Sequence, residues 1–122
     1  MATKANDLRR VDIALRSIAA ILDELPRLDD DWEHLSRDEQ LAWSLEWGNE
    51  MAKLGRLAEV EAAGQLDRRR AEAFQALAER TVGALGLVER LDLRQPSALV
   101  LAAGRVRTQG ASAERPVGGG LV

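Results

Sequence analysis

The chain has no cysteine and no tyrosine, one phenylalanine (Phe74), one histidine (His34) and only three prolines in 122 residues. Each scarcity removes a class of chemistry. Without cysteine there are no disulfides, thiolate zinc sites or cysteine nucleophiles. One histidine and a few hydroxyl side chains outside any G-x-S-x-G context leave almost no inventory for nucleophilic catalysis. Phosphate-cradling loops are missing too, since neither G-x-x-x-x-G-K-[ST] nor G-x-G-x-x-G occurs. No apolar run approaches the roughly 18 residues of a membrane span, and the start of the chain, MATKANDLRR, leads directly into an amphipathic pattern. A cytoplasmic protein with no membrane association and no cofactor is the expectation.

What is abundant is alanine, leucine, arginine and glutamate, with 46% hydrophobic and 30% charged residues, the composition of packed helices. The net charge of −3 is unevenly distributed. Residues 1–91 carry 13 basic against 18 acidic residues, and residues 92–122 carry four arginines against Asp92 and Glu114. An acidic folded part gives a nucleic-acid backbone little to hold.

Leu8, Val11, Leu15, Ile18, Leu22 and Leu25 alternate spacings of three and four, which predicts a first helix over 6–25 that Pro26 ends. An acidic connector follows at 26–35. Ser36 and Glu39 then form a capping box that opens a second helix over 37–63. At 100° per residue this helix has two faces. Trp43, Trp47, Met51, Leu54, Leu57 and Ala58 make one apolar stripe. Leu41, Leu45, Gly48, Ala52 and Gly55 make another, whose small residues admit a close neighbouring backbone.

Gly64 marks a turn, and Phe74, Leu77, Thr81, Leu85, Val88 and Leu91 form the inward stripe of a third helix over 66–91, weakened by Gly83 and Gly86. Ser97–Ala103, apolar all round, reads as a short fourth helix that must dock on its own bundle or on another chain. The expected fold is all-α: an antiparallel bundle of three main helices with a short fourth, spanning 1–104, and a disordered C-terminal tail over 105–122.

Three-quarters of the aromatic side chains fall within sixteen positions, at Trp32, Trp43 and Trp47, where large rigid anchors concentrate. With Leu41, Leu45, Gly48, Ala52, Gly55, Leu99 and Leu101 they form the expected partner-binding set. The leftover apolar residues Ile13, Ile21, Leu41, Leu45, Val60, Val82 and Leu87 predict a homo-oligomer, and a larger protein partner is expected besides. Glu46 and Glu50, one helical turn apart, are the weak metal candidates of a hydrolase reading, without the Glu-x-x-His pairs of ferritin-like sites. Arg68-Arg69-Arg70 is the basic element of a nucleic-acid reading, with no aromatic residue interleaved for stacking. Arg27 and His34 match only the R-x6-H spacing of small helical ribonucleases, two residues in a proline-led connector, and no family is assigned on them. The favoured expectation is a non-enzymatic interaction protein.

Overall fold

Three long helical segments carry the apolar stripes, and a computed structural model shows how they combine. It describes residues 2–105, with side chains from residue 6 onward. Helix α1 (Ala2–Asp31) buries Leu15, Ile18, Leu22, Leu25 and Leu28 at intervals of three and four, with Leu8 and Val11 half-buried on the same seam. Ile21, expected among the leftover apolar surface, is buried beside them.

Pro26 does not end this helix, contrary to the sequence expectation. A proline inside a helix removes one hydrogen bond and crowds the preceding turn, at about 3 kcal/mol. Leu25 and Leu28 flank it and are both buried, and two buried leucines contribute about 3 kcal/mol or more between them. Packing on either side therefore holds the helix through Pro26 to Asp31. Most of the supposed connector is thus helical: six residues belong to α1, and Trp32–His34 form a single 3₁₀ turn.

Helix α2 (Arg37–Ala62) starts on the expected capping box. Ser36 Oγ accepts from the Glu39 amide at 3.1 Å, and Glu39 Oε1 accepts from the Ser36 amide at 2.8 Å. It buries Trp47, Met51, Leu54, Leu57 and Ala58 from the predicted stripe, with Trp43 half-buried. Gly64, at φ 70°, ends it in a left-handed turn, its amide bonding Glu61 O while the Gln65 amide bonds Val60 O.

The expected third helix is two. Helix α3 (Arg68–Gly83), capped by Asp67, gives way at Ala84 to the short α4 (Leu85–Arg90). Gly83 and Gly86 flank the break, each about 1 kcal/mol less favourable in a helix than alanine. The inward stripe survives it, because Phe74, Leu77, Thr81, Val88 and Leu91 are all buried. Beyond α4 an irregular strap, 93–97, buries Leu93 and Pro96, and a final helix α5 occupies 98–105. The tail expected from 105 onward lies, apart from Arg105, outside the described residues.

Contacts fix the topology. Ser17 of α1 donates to Glu50 of α2, and Gln40 near the start of α2 donates to the Trp32 carbonyl just after α1, so these helices are antiparallel. Ion pairs Asp12–Arg70, Asp23–Arg80 and Asp29–Arg90 climb α1 and α3–α4 in the same order, so those run parallel. The result is an up-down-up bundle. Asp12–Arg70 is partly buried and the other two pairs are more exposed; exposed pairs contribute little stability individually, but together the three specify register.

Candidate interaction surface

The second stripe of α2 divides where the strap crosses it. Over its C-terminal half the occupant is this chain: a methyl group at Gly48 would lie 3.7 Å from Arg94 Cδ, and one at Gly55 would lie 3.5 Å from Ser97 Oγ. These are ordinary contact distances, so small residues let the strap lie close without glycine being required. Ala52, half-buried, lines the same shallow groove as Ser97 and Leu99. Trp47, fully buried, pins the strap by donating its indole N–H to the Arg94 carbonyl at 2.8 Å, and it stacks on Trp43 with ring centres 5.8 Å apart.

Helix α5 packs on its own bundle. Val100 is fully buried, Gln75 of α3 donates to the Ala103 carbonyl at 2.7 Å, and Gly104 sits against Ala78. Here glycine is obligatory, since a methyl group would meet Ala78 O at 2.6 Å. Leu101 is half-buried and Leu99 remains 46% exposed.

Beyond the strap the stripe is bare. Leu41 and Leu45 are 59% and 62% exposed, the two most exposed large apolar side chains among the described residues. Beside them a depression is lined by Trp32, Arg37, Asp38, Leu41, Leu91 and Asp92. Trp32 is half-buried on its edge, its carbonyl accepting from Gln40 Nε2 at 2.6 Å.

A second surface was not anticipated. Between α1 and α2, at the opposite end of the bundle, Val11, Ile13, Ala14 and Val60 line a groove of about 430 Å³, rimmed by Arg10, Lys53 and Arg56. Ile13 is 50% exposed in it. Of the seven leftover apolar residues expected at the surface, Ile13, Leu41 and Leu45 are exposed, whereas Val60, Val82 and Leu87 are half-buried. The signal available was the recurrence of Arg10, Lys53 and Arg56 beside apolar positions, which gains meaning only once α1 and α2 are known to be antiparallel.

Of the polar candidates, Glu50 and the basic triplet are engaged by neighbouring side chains, and Glu46, Arg27 and His34 are exposed. Glu50 is buried, with Oε1 accepting from Ser17 Oγ at 2.6 Å and Oε2 paired to Lys53 Nζ at 3.0 Å. Glu46 is exposed, and the described residues hold no group of three or more metal-ligating side chains. Arg27 and His34 are both exposed. Within the basic triplet, Arg68 pairs with Glu72 and Arg69 approaches Asp12 at 3.6 Å. Arg70 makes a two-pronged contact with Asp12, both distances 2.9 Å, and also bonds Asp67. These hydrogen bonds push the Arg70 pKa up and hold Asp12 below the usual aspartate value, and Asp67 is held below it first by the Arg70 backbone amide, which donates to its Oδ1 at 3.0 Å, and then by the Arg70 side chain. The Ser36 backbone amide does the same for Glu39.

Among the described residues no helix is long and apolar enough to cross a membrane. No family model matches the chain, and neither a curated protein nor a solved structure is significantly similar to it.

Proposed function

We propose that this chain is a small, cytoplasmic, non-enzymatic interaction protein, a regulatory or accessory subunit that binds itself and a larger protein partner through exposed helical faces. The observation that carries this reading is the bare half of the α2 stripe. Leu41 and Leu45 continue a row whose other half is covered by the strap, and contact with another chain would remove them from water as the strap removes the rest. The division of polar side chains points the same way. Glu50, the best placed of the metal candidates, is engaged by Ser17 and Lys53, and the basic triplet is largely neutralised by Asp12, Asp67 and Glu72.

The test compares wild type with Leu41→Ser/Leu45→Ser, two exposed positions where the fold tolerates polarity. Light scattering should show a mass that rises with concentration in the wild type and stays near one chain in the variant. Affinity capture from cell extract should retain a partner with the wild type and lose it with the variant. A wild type that is monomeric at high concentration and captures nothing would sink the proposal.

A further inference from the structure

The fold separates charge along the bundle axis. One end gathers the C-terminal half of α1, the 3₁₀ turn and the start of α2; there, residues 23–46 carry nine acidic side chains against Arg27 and Arg37, a net of −7. The other end gathers the start of α1, the end of α2 and the start of α3. Residues 6–16 and 53–72 carry eight basic side chains against six acidic ones, a net of +2. Each end holds one of the two apolar surfaces. The Leu41/Leu45 ridge lies at the acidic end, with Asp38 beside Leu41 and Glu46 next to Leu45. The Ile13 groove lies at the basic end under Arg10, Lys53 and Arg56. Lys53 already pairs with Glu50, whereas Arg10 and Arg56 form no ion pair among the described residues.

We infer that the chain associates with itself head to tail, the Leu41/Leu45 ridge of one copy seating in the Ile13 groove of the next. This rests on the self-association half of the proposed function and names its geometry. Three observations select a second copy and this arrangement. The two surfaces are both apolar and are opposite in the sign of their surroundings: two exposed leucines at the acidic end, where Arg37 is the one basic neighbour beside Asp38 and Asp92, and a concave apolar floor under Arg10 and Arg56. Like surfaces do not suit each other, since ridge on ridge would bring two −7 ends together and groove on groove would oppose two sets of arginines. The two surfaces also cannot meet within one molecule, because along α2 they lie roughly 20 Å apart at 1.5 Å per residue and about 90° apart around the axis. A ridge-to-groove contact that is not returned within the same pair is heterologous, so it continues from copy to copy until it closes as a ring or extends as a filament.

Two variants, each dead on one surface, decide the matter. Leu41→Ser/Leu45→Ser removes the ridge, and Ile13→Asp/Arg56→Glu removes the groove; Arg10→Glu/Arg56→Glu is the alternative groove variant should the Ile13 change unfold the chain. Far-ultraviolet circular dichroism and a thermal transition confirm folding. Each variant alone should have its apparent self-dissociation constant raised at least about tenfold, as loss of an interface anchor does. Mixed in equal amounts, they should form a species of two chains and nothing larger, because one intact ridge then meets one intact groove. Salt near 1 M, where the screening length is about 3 Å, should weaken the wild-type assembly. Variants that lose association alone and stay monomeric when mixed would show an isologous interface, overturning the head-to-tail arrangement and leaving the proposed function standing. Variants that associate as the wild type does would overturn it likewise. A wild type monomeric at every concentration would overturn it together with the self-association half of that function.

Discussion

The two ends of the bundle carry opposite charge, and two helix termini, the end of α1 and the first turn of α3 after its Asp67 cap, depart from the rule that stabilises helix ends. Helix α1 ends in Asp29-Asp30-Asp31 with no basic residue in its last turn, where unpaired carbonyls favour cations. Helix α3 begins with Arg68-Arg69-Arg70 and has no acid in its first turn, where unpaired amides favour anions. Because these two helices are parallel, both departures add to the same end-to-end polarity. Helix α2 obeys the rule at its N-terminus alone, with Asp38 and Glu39 in its first turn and no basic residue in its last, and since it runs the other way its first-turn acids reinforce the same acidic end. Some of these terminal charges serve the fold through the Asp12–Arg70 and Asp29–Arg90 pairs, and the polarity that remains is what the proposed head-to-tail contact would use.

The comparison can be attacked where its ridge is defined. The ridge exists because the strap stops at Gly48, and Trp47 holds it there through Arg94. Replacing Trp47 with alanine empties the centre of the core and should cost about 3–5 kcal/mol in urea unfolding, with the strap released to faster amide exchange. A loss below about 1 kcal/mol would mean that the strap is positioned by something else.

A smaller effect probes the dipole argument directly. Asp31→Lys should stabilise the monomer by about 0.3–1 kcal/mol at low salt, because it places a cation at the α1 C-terminus. Arg68→Gln should gain less, since it also removes the exposed pair to Glu72. If either substitution lowers stability in urea titrations, the terminal charges support the fold after all, and the contrast between the ends loses its meaning.

The smallest effect is in acid. Asp12 and Asp67 lie below their ordinary value of 3.8 through hydrogen bonds from Arg70, and Glu39 lies below 4.5 through the Ser36 amide. With a lowered folded pKa, the unfolded chain takes up protons first. The stability these groups give is therefore complete above the ordinary values and is lost as pH falls through the lower folded ones. Unfolding midpoints measured through this range should fall with acidification, and Arg70→Gln should flatten the part belonging to Asp12, leaving the Glu39 part intact and the Asp67 part largely so, since the amide of residue 70 still donates to Asp67. An unchanged slope would show that the Arg70 side chain does not set the Asp12 value.

Local features were legible in the sequence to the extent that they are decided within a few turns of chain. The α1 seam, the Ser36/Glu39 capping box, the Trp47–Ala58 stripe and the turn at Gly64 all depend on spacing or on one residue's conformational freedom, and the structure reproduces them. Pro26 was misread because the local penalty is visible in sequence, whereas the burial of Leu25 and Leu28 that offsets it is not. The α3–α4 break lay in plain view as Gly83 and Gly86, but the continuous apolar stripe across it suggested one helix.

The candidate surfaces divide along the same line. That α2 has a second apolar stripe followed from helical periodicity alone. Which part of that stripe the chain covers for itself did not, because Arg94 and Ser97 reach Gly48 and Gly55 across some 40 residues of sequence. Likewise, the sequence determined that the protein is helical, aromatic-poor and acidic in its first 91 residues. The acids of one end lie in a single stretch, 23–46; only the tertiary structure decided what stands at the other end, because antiparallel packing of α1 on α2 and parallel packing of α3 on α1 bring together basic side chains that lie far apart in the chain. Periodicity is a property of neighbours, but polarity belongs to the folded object.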